Sequence, residues 1–401
     1  MDKNNLINFF LDNTKNTDHL GVGTEHEKFI FLSKDKKRIP FKGDVSINSL
    51  FQFLITKGWL PGEISDGNII SLSRDGANIT LEPGGQVELS GKIQKNIHET
   101  CAETTAHLEE LNIFIKDNNL CMMGLGFDPI SSMEDIQWIP KKRYNIMKSY
   151  MPQVGSRGLD MMSRTCTVQA NFDYTSESDL VKKFVVANRI QSFVIAMFCN
   201  SPFREMKHNG YLSNRVLTWS DTDIDRCGIK EIFINKNFSI EEYVDFALDV
   251  PNYFLEIDNN YVDTTKYSFN QILKRQTNNN LIDNHDLSLD NWVNHLSTIF
   301  TEVRLKSYLE VRGADAGKWE MICALPAFWT GLLYDEENLN ILWNETHKWN
   351  YSDIMDLYKN VSKEGLKSKF QGESIYNYCQ YLLKLSSKGL ERRAFLNKKN
   401  R

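Results

Sequence analysis

GVGTEHEKFIF, residues 21–31, decides the fold. Successive side chains of a strand point to opposite faces, so Glu25 and Glu27, two apart, occupy one face. Three further stretches carry the same signal. In residues 79–91 (ITLEPGGQVELSG), Gln86 and Glu88 share a face while Val87 and Leu89 take the other. Pro83-Gly84-Gly85 interrupts that run, so Glu82 arrives from the preceding segment. In residues 165–173 (TCTVQANFD), Thr165, Thr167, Gln169, Asn171 and Asp173 alternate with Cys166, Val168, Ala170 and Phe172. Residues 302–312 (EVRLKSYLEVR), read as one strand, put Glu302, Arg304, Lys306, Tyr308, Glu310 and Arg312 on one side.

Strands of this kind build a sheet with one apolar and one charged face. Parallel strands buried on both faces read instead as unbroken apolar runs. The pattern therefore predicts an α+β fold with an antiparallel sheet and helices over its apolar face. Helical periodicity covers residues 46–57, 97–116, 179–199, 240–248, 288–300, 319–333 and 373–385. Residues 277–286 (TNNNLIDNHD) read as a surface loop, and Lys398, Lys399, Asn400 and Arg401 as a solvated tail.

Composition narrows the function. Of 401 residues, 47 are Lys or Arg and 52 Asp or Glu, a net charge of −5. With 41% hydrophobic residues, this excludes a disordered chain and a nucleic-acid binder relying on a general positive field. The seven cysteines include no CxxC, which argues against a disulfide scaffold or a structural zinc site. The most apolar run, residues 193–199, falls far short of the roughly 20 residues that cross a bilayer. Small-molecule partners remain, with no nucleic acid and no membrane. The N-terminus has no signal-peptide pattern, so a reducing cytoplasm is the default compartment.

Carboxylates at i and i+2 of a strand repel and raise each other's pKa. A hard divalent cation removes that conflict and takes oxygen ligands. Glu25, Glu27, Glu82, Glu88 and Glu310, with Gln169 as a neutral oxygen, would suffice for two or three Mg²⁺ ions. Several Mg²⁺ ions on one face imply a polyphosphate substrate, and Arg164, Arg304 and Arg312 suit a transferring phosphoryl group. GxxxxGK[ST], GxGxxG, HExxH and Gly-x-Ser-x-Gly are all absent. His107, His295 and His347 read as structural or surface residues. Residues 214–225 (NRVLTWSDTDID), loop-like and carrying Arg215 and Trp219, suit a substrate-pocket wall. Residues 143–160, with Pro152, Gly155 and Gly158 around Tyr150 and Met151, suit a mobile loop that closes over substrate.

TEHEKF (24–29), EPGGQVELSG (82–91), YMPQVGSRGLDMMSRTCTVQANFD (150–173) and TWSDTD (218–223) resemble glutamate–cysteine ligase of the plant and alphaproteobacterial type. So do YVDFALDVPNYF (243–254), NHLSTIFTEVRLKSYLEVRGADAG (294–317) and ICALPAFWTGLLYD (322–335), in one order along nearly the whole chain. The resemblance implies a glutamine synthetase-like fold: a curved antiparallel sheet whose concave face holds Mg²⁺ and ATP. It implies one catalytic domain over residues 1–401, helical from about residue 319. The implied reaction joins the γ-carboxyl of glutamate to the amine of cysteine through a γ-glutamyl phosphate, the first step of glutathione biosynthesis. Within it Arg312, Arg304 and Glu310 are candidate catalytic residues. Arg164, Arg215, Trp219, Tyr150 and Met151 are candidate substrate contacts. Glu25, Glu27, Glu82, Glu88, Glu310 and Gln169 are candidate metal ligands. A related ligase with another amine, a phosphagen-type kinase, or a non-catalytic binding protein would share much of the pattern. One departure stands out. Where some plant members carry the first cysteine of a regulatory pair, after Tyr-Val-Asp, this chain has Thr264. The expectation is a monomer or weak homodimer whose activity is insensitive to mild thiol reduction.

Overall fold

A computed structural model describes residues 1–258 and 260–396, so the basic tail lies outside the described residues. The four stretches above meet in one nine-stranded sheet. Its strands are β1 (Val22–Leu32), β2 (Leu60–Pro61), β3 (Ser71–Arg74), β4 (Ala77–Leu81), β5 (Val87–Ser90), β6 (Leu120–Met123), β7 (Thr167–Phe172), β8 (Val303–Leu305) and β9 (Leu309–Asp315). Their spatial order is β8-β9-β7-β1-β5-β4-β3-β2, with β6 also on β1, and every pairing is antiparallel.

One expected strand is two. Residues 302–312 fold as β8 and β9 around a tight turn in which the Lys306 N–H donates to the Tyr308 carbonyl at 2.8 Å. The register explains why alternation concealed this. Val303 pairs Val311, Arg304 pairs Glu310 and Leu305 pairs Leu309, so both partners always have the same parity in sequence. A three-residue turn preserves the alternating pattern straight through the reversal.

The helices that matter for the site are α1 (Ile97–Asp117), α2 (Lys142–Val154), α3 (Gly158–Arg164), α4 (Glu177–Phe198), α5 (Asn214–Trp219) and α6 (Trp319–Leu333). Side chains of Asn96 and Ser176 cap α1 and α4 by accepting from backbone N–H groups of their first turns. All seven expected helices form. The last runs further than expected, over Ile375–Arg393. Helices at α2, α3, α5, Glu336–Thr346 and Tyr351–Glu364 were not anticipated. After Asp315 the described chain is helical apart from one short hairpin.

The apolar face carries Val168, Ala170, Phe172, Val303, Leu305, Leu309 and Val311 into the main core against α4 and α6. Each such fully buried side chain contributes about 1.5–3 kcal/mol. α4 is buried around most of its circumference because the sheet covers one side and the helices Glu336–Thr346 and Tyr351–Glu364 another.

The cysteines correct the sequence reading. Cys101 on α1 and Cys323 on α6 are joined as a disulfide, so the chain carries a covalent link behind the sheet. The expected insensitivity to reduction rested on Thr264 alone and did not take this pair into account.

Candidate active site

Residues paired across an antiparallel ladder point the same way, and the register stacks the polar side chains into three rows. The first is Thr80–Glu88–Glu27, the second Glu25–Gln169, the third Asn171–Glu310–Arg304. Hydrogen bonds hold the carboxylates of these rows. Thr80 Oγ1 donates to Glu88 at 2.7 Å, Asn171 Nδ2 to Glu25 at 2.8 Å, and the Thr167 N–H to Glu27 at 3.1 Å.

Above the rows lies a cavity of about 270 Å³. Glu25, Glu27, Glu82 and Glu88 line it together with five cations: Arg143, Arg215, Arg304, Lys306 and Arg312. Met147, Met161, Met162, Trp219 and Phe300 give it apolar walls. Carboxyl groups crowded away from water resist ionisation. Burial, then Glu310 and Glu88, push Glu25 up to about 7. Burial, then Glu82, push Glu88 up to about 7. Burial and Glu88 hold Glu27 well above the carboxylate range.

Glu310 goes the other way. Burial opposes its charge, but Arg304, Arg312 and Lys306 outweigh it and hold the carboxyl well below the usual range. Its oxygens accept from Arg304 at 2.6 and 3.0 Å and from Arg312 at 3.1 Å.

Two further walls come from distant sequence. A bulge between Val311 and Ala314 turns the carbonyls of Arg312 and Gly313 out of the ladder. Arg215 on α5 donates to both, at 2.7 and 3.1 Å, which fixes Trp219 one turn later. Trp219 stands edge-on to Phe300 with the guanidiniums of Arg215 and Arg312 over its ring, 5.4 and 5.6 Å from the centroid. Gln169 Oε1, Arg215 Nε and Trp219 Nε1 are buried without a partner among the described residues. Each such orphan costs about 1–3 kcal/mol unless a bound group satisfies it.

The oxygen-only donor set, with the free Gln169 oxygen beside it, fits a hard cation such as Mg²⁺. Among the described residues, however, no three His, Cys, Asp or Glu side chains are already drawn around a single cation position.

The family model described as "Glutamate-cysteine ligase family 2 (GCS2)" matches residues 21–399. The chain is 42% identical over 393 residues to the chloroplastic glutamate–cysteine ligase A of Oryza sativa subsp. indica, covering 98% of this chain and 79% of that protein. It is likewise 42% identical to the chloroplastic glutamate–cysteine ligase of Arabidopsis thaliana, covering 98% and 74%.

The chain belongs to glutamate–cysteine ligase family 2.

A solved glutamate–cysteine ligase from Francisella tularensis, in complex with AMP, shares the fold of this ligase at a TM-score of 0.54 and 14% identity, covering 96% and 80% of the two chains. The cytoplasmic default is overturned, because the curated relatives carry chloroplastic names. Thiol count and charge do not distinguish one reducing compartment from another.

Three expected substrate contacts of the ligase do not reach the cavity. Arg164 is fully buried on the far side of α3, paired with Asp160 and Glu205 and donating to the Ser131 carbonyl at 2.8 Å. Tyr150 packs edge-on against Tyr253 at 5.3 Å, and Met151 is wholly buried beside it. The expected mobile loop is α2 and α3. Pro152 falls in the last turn of α2, where it removes the N–H that would bond the Lys148 carbonyl, and the helix ends three residues later at Gly155.

The same helices supply residues that sequence reading missed. Arg143, Tyr144 and Met147 of α2 and Met161 and Met162 of α3 line the cavity, as does Lys306 on the tight turn. Met147 follows Arg143 by four residues and Tyr144 by three, which was the available helical signal.

Proposed function

We propose that this protein uses ATP to join the γ-carboxyl of L-glutamate to the amino group of L-cysteine, the first step of glutathione biosynthesis. The carrying observation is the single cavity in which four glutamates from three strand segments face five cations. The family supports the same reaction, since its curated members are glutamate–cysteine ligases.

A carboxylate does not accept an amine because oxide is a hopeless leaving group. Phosphorylation of the γ-carboxylate gives an acyl phosphate, which the neutral amine can attack. Glu25, Glu27, Glu82 and Glu88, with Gln169 as a neutral oxygen, would hold Mg²⁺, and Glu310 would serve by fixing Arg304 and Arg312. Bound Mg²⁺ supplies charge neutralisation at the phosphate oxygens.

The chain's own residues do the rest. Arg312 faces the cavity with Glu310 behind it, so its guanidinium is oriented before substrate arrives. Arg215 and Trp219 shape the glutamate end, and Met147, Met161 and Met162 offer an apolar wall to the second amino acid. Proximity of amine and acyl carbon in such a cavity can lower the barrier by roughly 7–11 kcal/mol.

The deciding assay is phosphate release from ATP with glutamate, with and without cysteine, and with 2-aminobutyrate as a thiol-free amine. Turnover requiring glutamate together with an amino-acid amine supports the reading. Phosphate release independent of glutamate would end it.

A further inference from the structure

The cations of the cavity are not equally free. Arg304 spends Nε and Nη2 on Glu310 and Nη1 on the carbonyls of Ser297 and Ile299. Arg215 is committed to the bulge carbonyls, and Arg312 is bonded to Glu310. Arg143 on α2 forms no ion pair among the described residues, but its carboxylate neighbour is Glu82 rather than Glu310. The Lys306 ammonium makes no hydrogen bond or ion pair with any described residue. Its ammonium rests 4.9 Å from the centroid of the Tyr308 ring. It lines the cavity from the turn between β8 and β9, and its nearest charges are Glu310, Arg304, Glu25 and Arg312.

In that corner Arg304, Arg312 and Lys306 surround Glu310, which bonds the two arginines, and Glu25, its carboxyl pushed up to about 7, adds at most one more negative charge, so positive charge is left over. An anionic group is needed to balance it. The pinned arginines can only form a fixed cradle. Lys306 alone combines three unspent N–H donors with a flexible four-carbon stem.

We propose that Lys306 is the cation that accompanies the phosphoryl group during transfer, a catalytic contact resting on the ligase reading above. An oxygen of the γ-carboxylate forms a bond to the γ-phosphorus while the bond from phosphorus to the bridging oxygen breaks, its electron pair leaving on ADP. No proton moves, and Lys306 remains an ammonium that follows the non-bridging oxygens. When the amine then adds to the acyl carbon, the carbon–oxygen bond to phosphate breaks with its electron pair on phosphate. That phosphate, still held by Lys306, takes the proton released from the amine.

The test compares Lys306→Met and Lys306→Arg with wild type in the full reaction and in a half-reaction. The half-reaction omits cysteine and traps the acyl phosphate with hydroxylamine as the hydroxamate. Lys306→Met should lose about 10²-fold in kcat in both, with KM for glutamate and cysteine and the melting temperature near wild type. Lys306→Arg should recover much of the loss. Wild-type rates in Lys306→Met would overturn the assignment. So would a normal hydroxamate rate alongside a slow full reaction, which would place Lys306 at the amine step. A lowered melting temperature with no recovery in Lys306→Arg would make its role structural and also overturn it. The ligase reading fails separately, if wild-type protein makes no ADP with glutamate and cysteine.

Discussion

Arg304 and Glu310 face each other across the tight β8–β9 turn, Nε and Nη2 of the guanidinium donating to the two carboxylate oxygens at 2.6 and 3.0 Å. Arg312 adds a third bond to the same carboxylate. Removing one partner of a buried ion pair strands the other charge, at about 3–5 kcal/mol. Glu310→Gln should therefore lose stability and activity together, as read by urea unfolding beside the phosphate assay.

Glu27→Gln should behave differently. Burial and Glu88 already oppose ionisation of Glu27 in the metal-free protein. The variant should unfold within about 0.5 kcal/mol of wild type, or be more stable. Its activity should fall by about 10²-fold if Glu27 holds Mg²⁺, a loss on the scale of disturbing a metal site. Activity close to wild type at saturating Mg²⁺ would remove Glu27 from the metal set.

Glu88 predicts a pH effect. A glutamate ordinarily ionises near 4.5, and in the folded protein Glu88 keeps its proton up to about 7. Between those values the folded state holds a proton the unfolded chain has lost, so stability falls as pH rises through the window and stays lowered above it. Glu88→Gln cannot ionise. It should match wild type at the acid end and exceed it above neutrality in the absence of Mg²⁺. Glu25 and Glu27, whose ionisation Glu88 opposes, ionise more easily in the variant and shift the difference in the same direction. Thermal melts across the range, repeated with Mg²⁺ to rescue wild type alone, provide the check.

Arg164 and Arg215 are separated by a simple comparison. Arg164→Lys disturbs a buried network outside the cavity and should lower the melting temperature without changing KM for glutamate. Arg215→Lys loses the two-pronged grip on the bulge that positions Trp219. It should raise KM for glutamate. Equal KM effects in the two variants would contradict the placement of the pocket.

The Cys101–Cys323 link closes a loop with a sequence separation of 222. Such a link restricts the unfolded chain and adds about 2–5 kcal/mol. Reductant should lower the melting temperature of wild type and leave Cys323→Ser unaffected, with thiol alkylation followed by mass reporting the bond directly.

Much of the catalytic face was legible because β1, β5 and β7 each declare it through residues two apart, as with Glu25 and Glu27. α2 was not legible, because Pro152, Gly155 and Gly158 resemble loop composition even though Pro152 lies within the last turn of a helix. Arg164 misled because an arginine beside a polar strand carries no mark of which side of its helix it occupies. Lys306 passed as one more residue of a strand because the hairpin preserves parity.

The sequence by itself determined which side of each strand is acidic, that helices cover the other side, and the family. Backbone geometry imposes those periods on neighbouring residues without reference to the rest of the chain. Only the tertiary structure decided which charges are spent and which are free. Glu310 is claimed by Arg304 and Arg312, Arg164 is claimed by Asp160 and Glu205, and the Lys306 ammonium is left without a partner among the described residues. A charge is neutralised by whatever lies within a few ångströms in space, and strand register and helix packing set that neighbourhood.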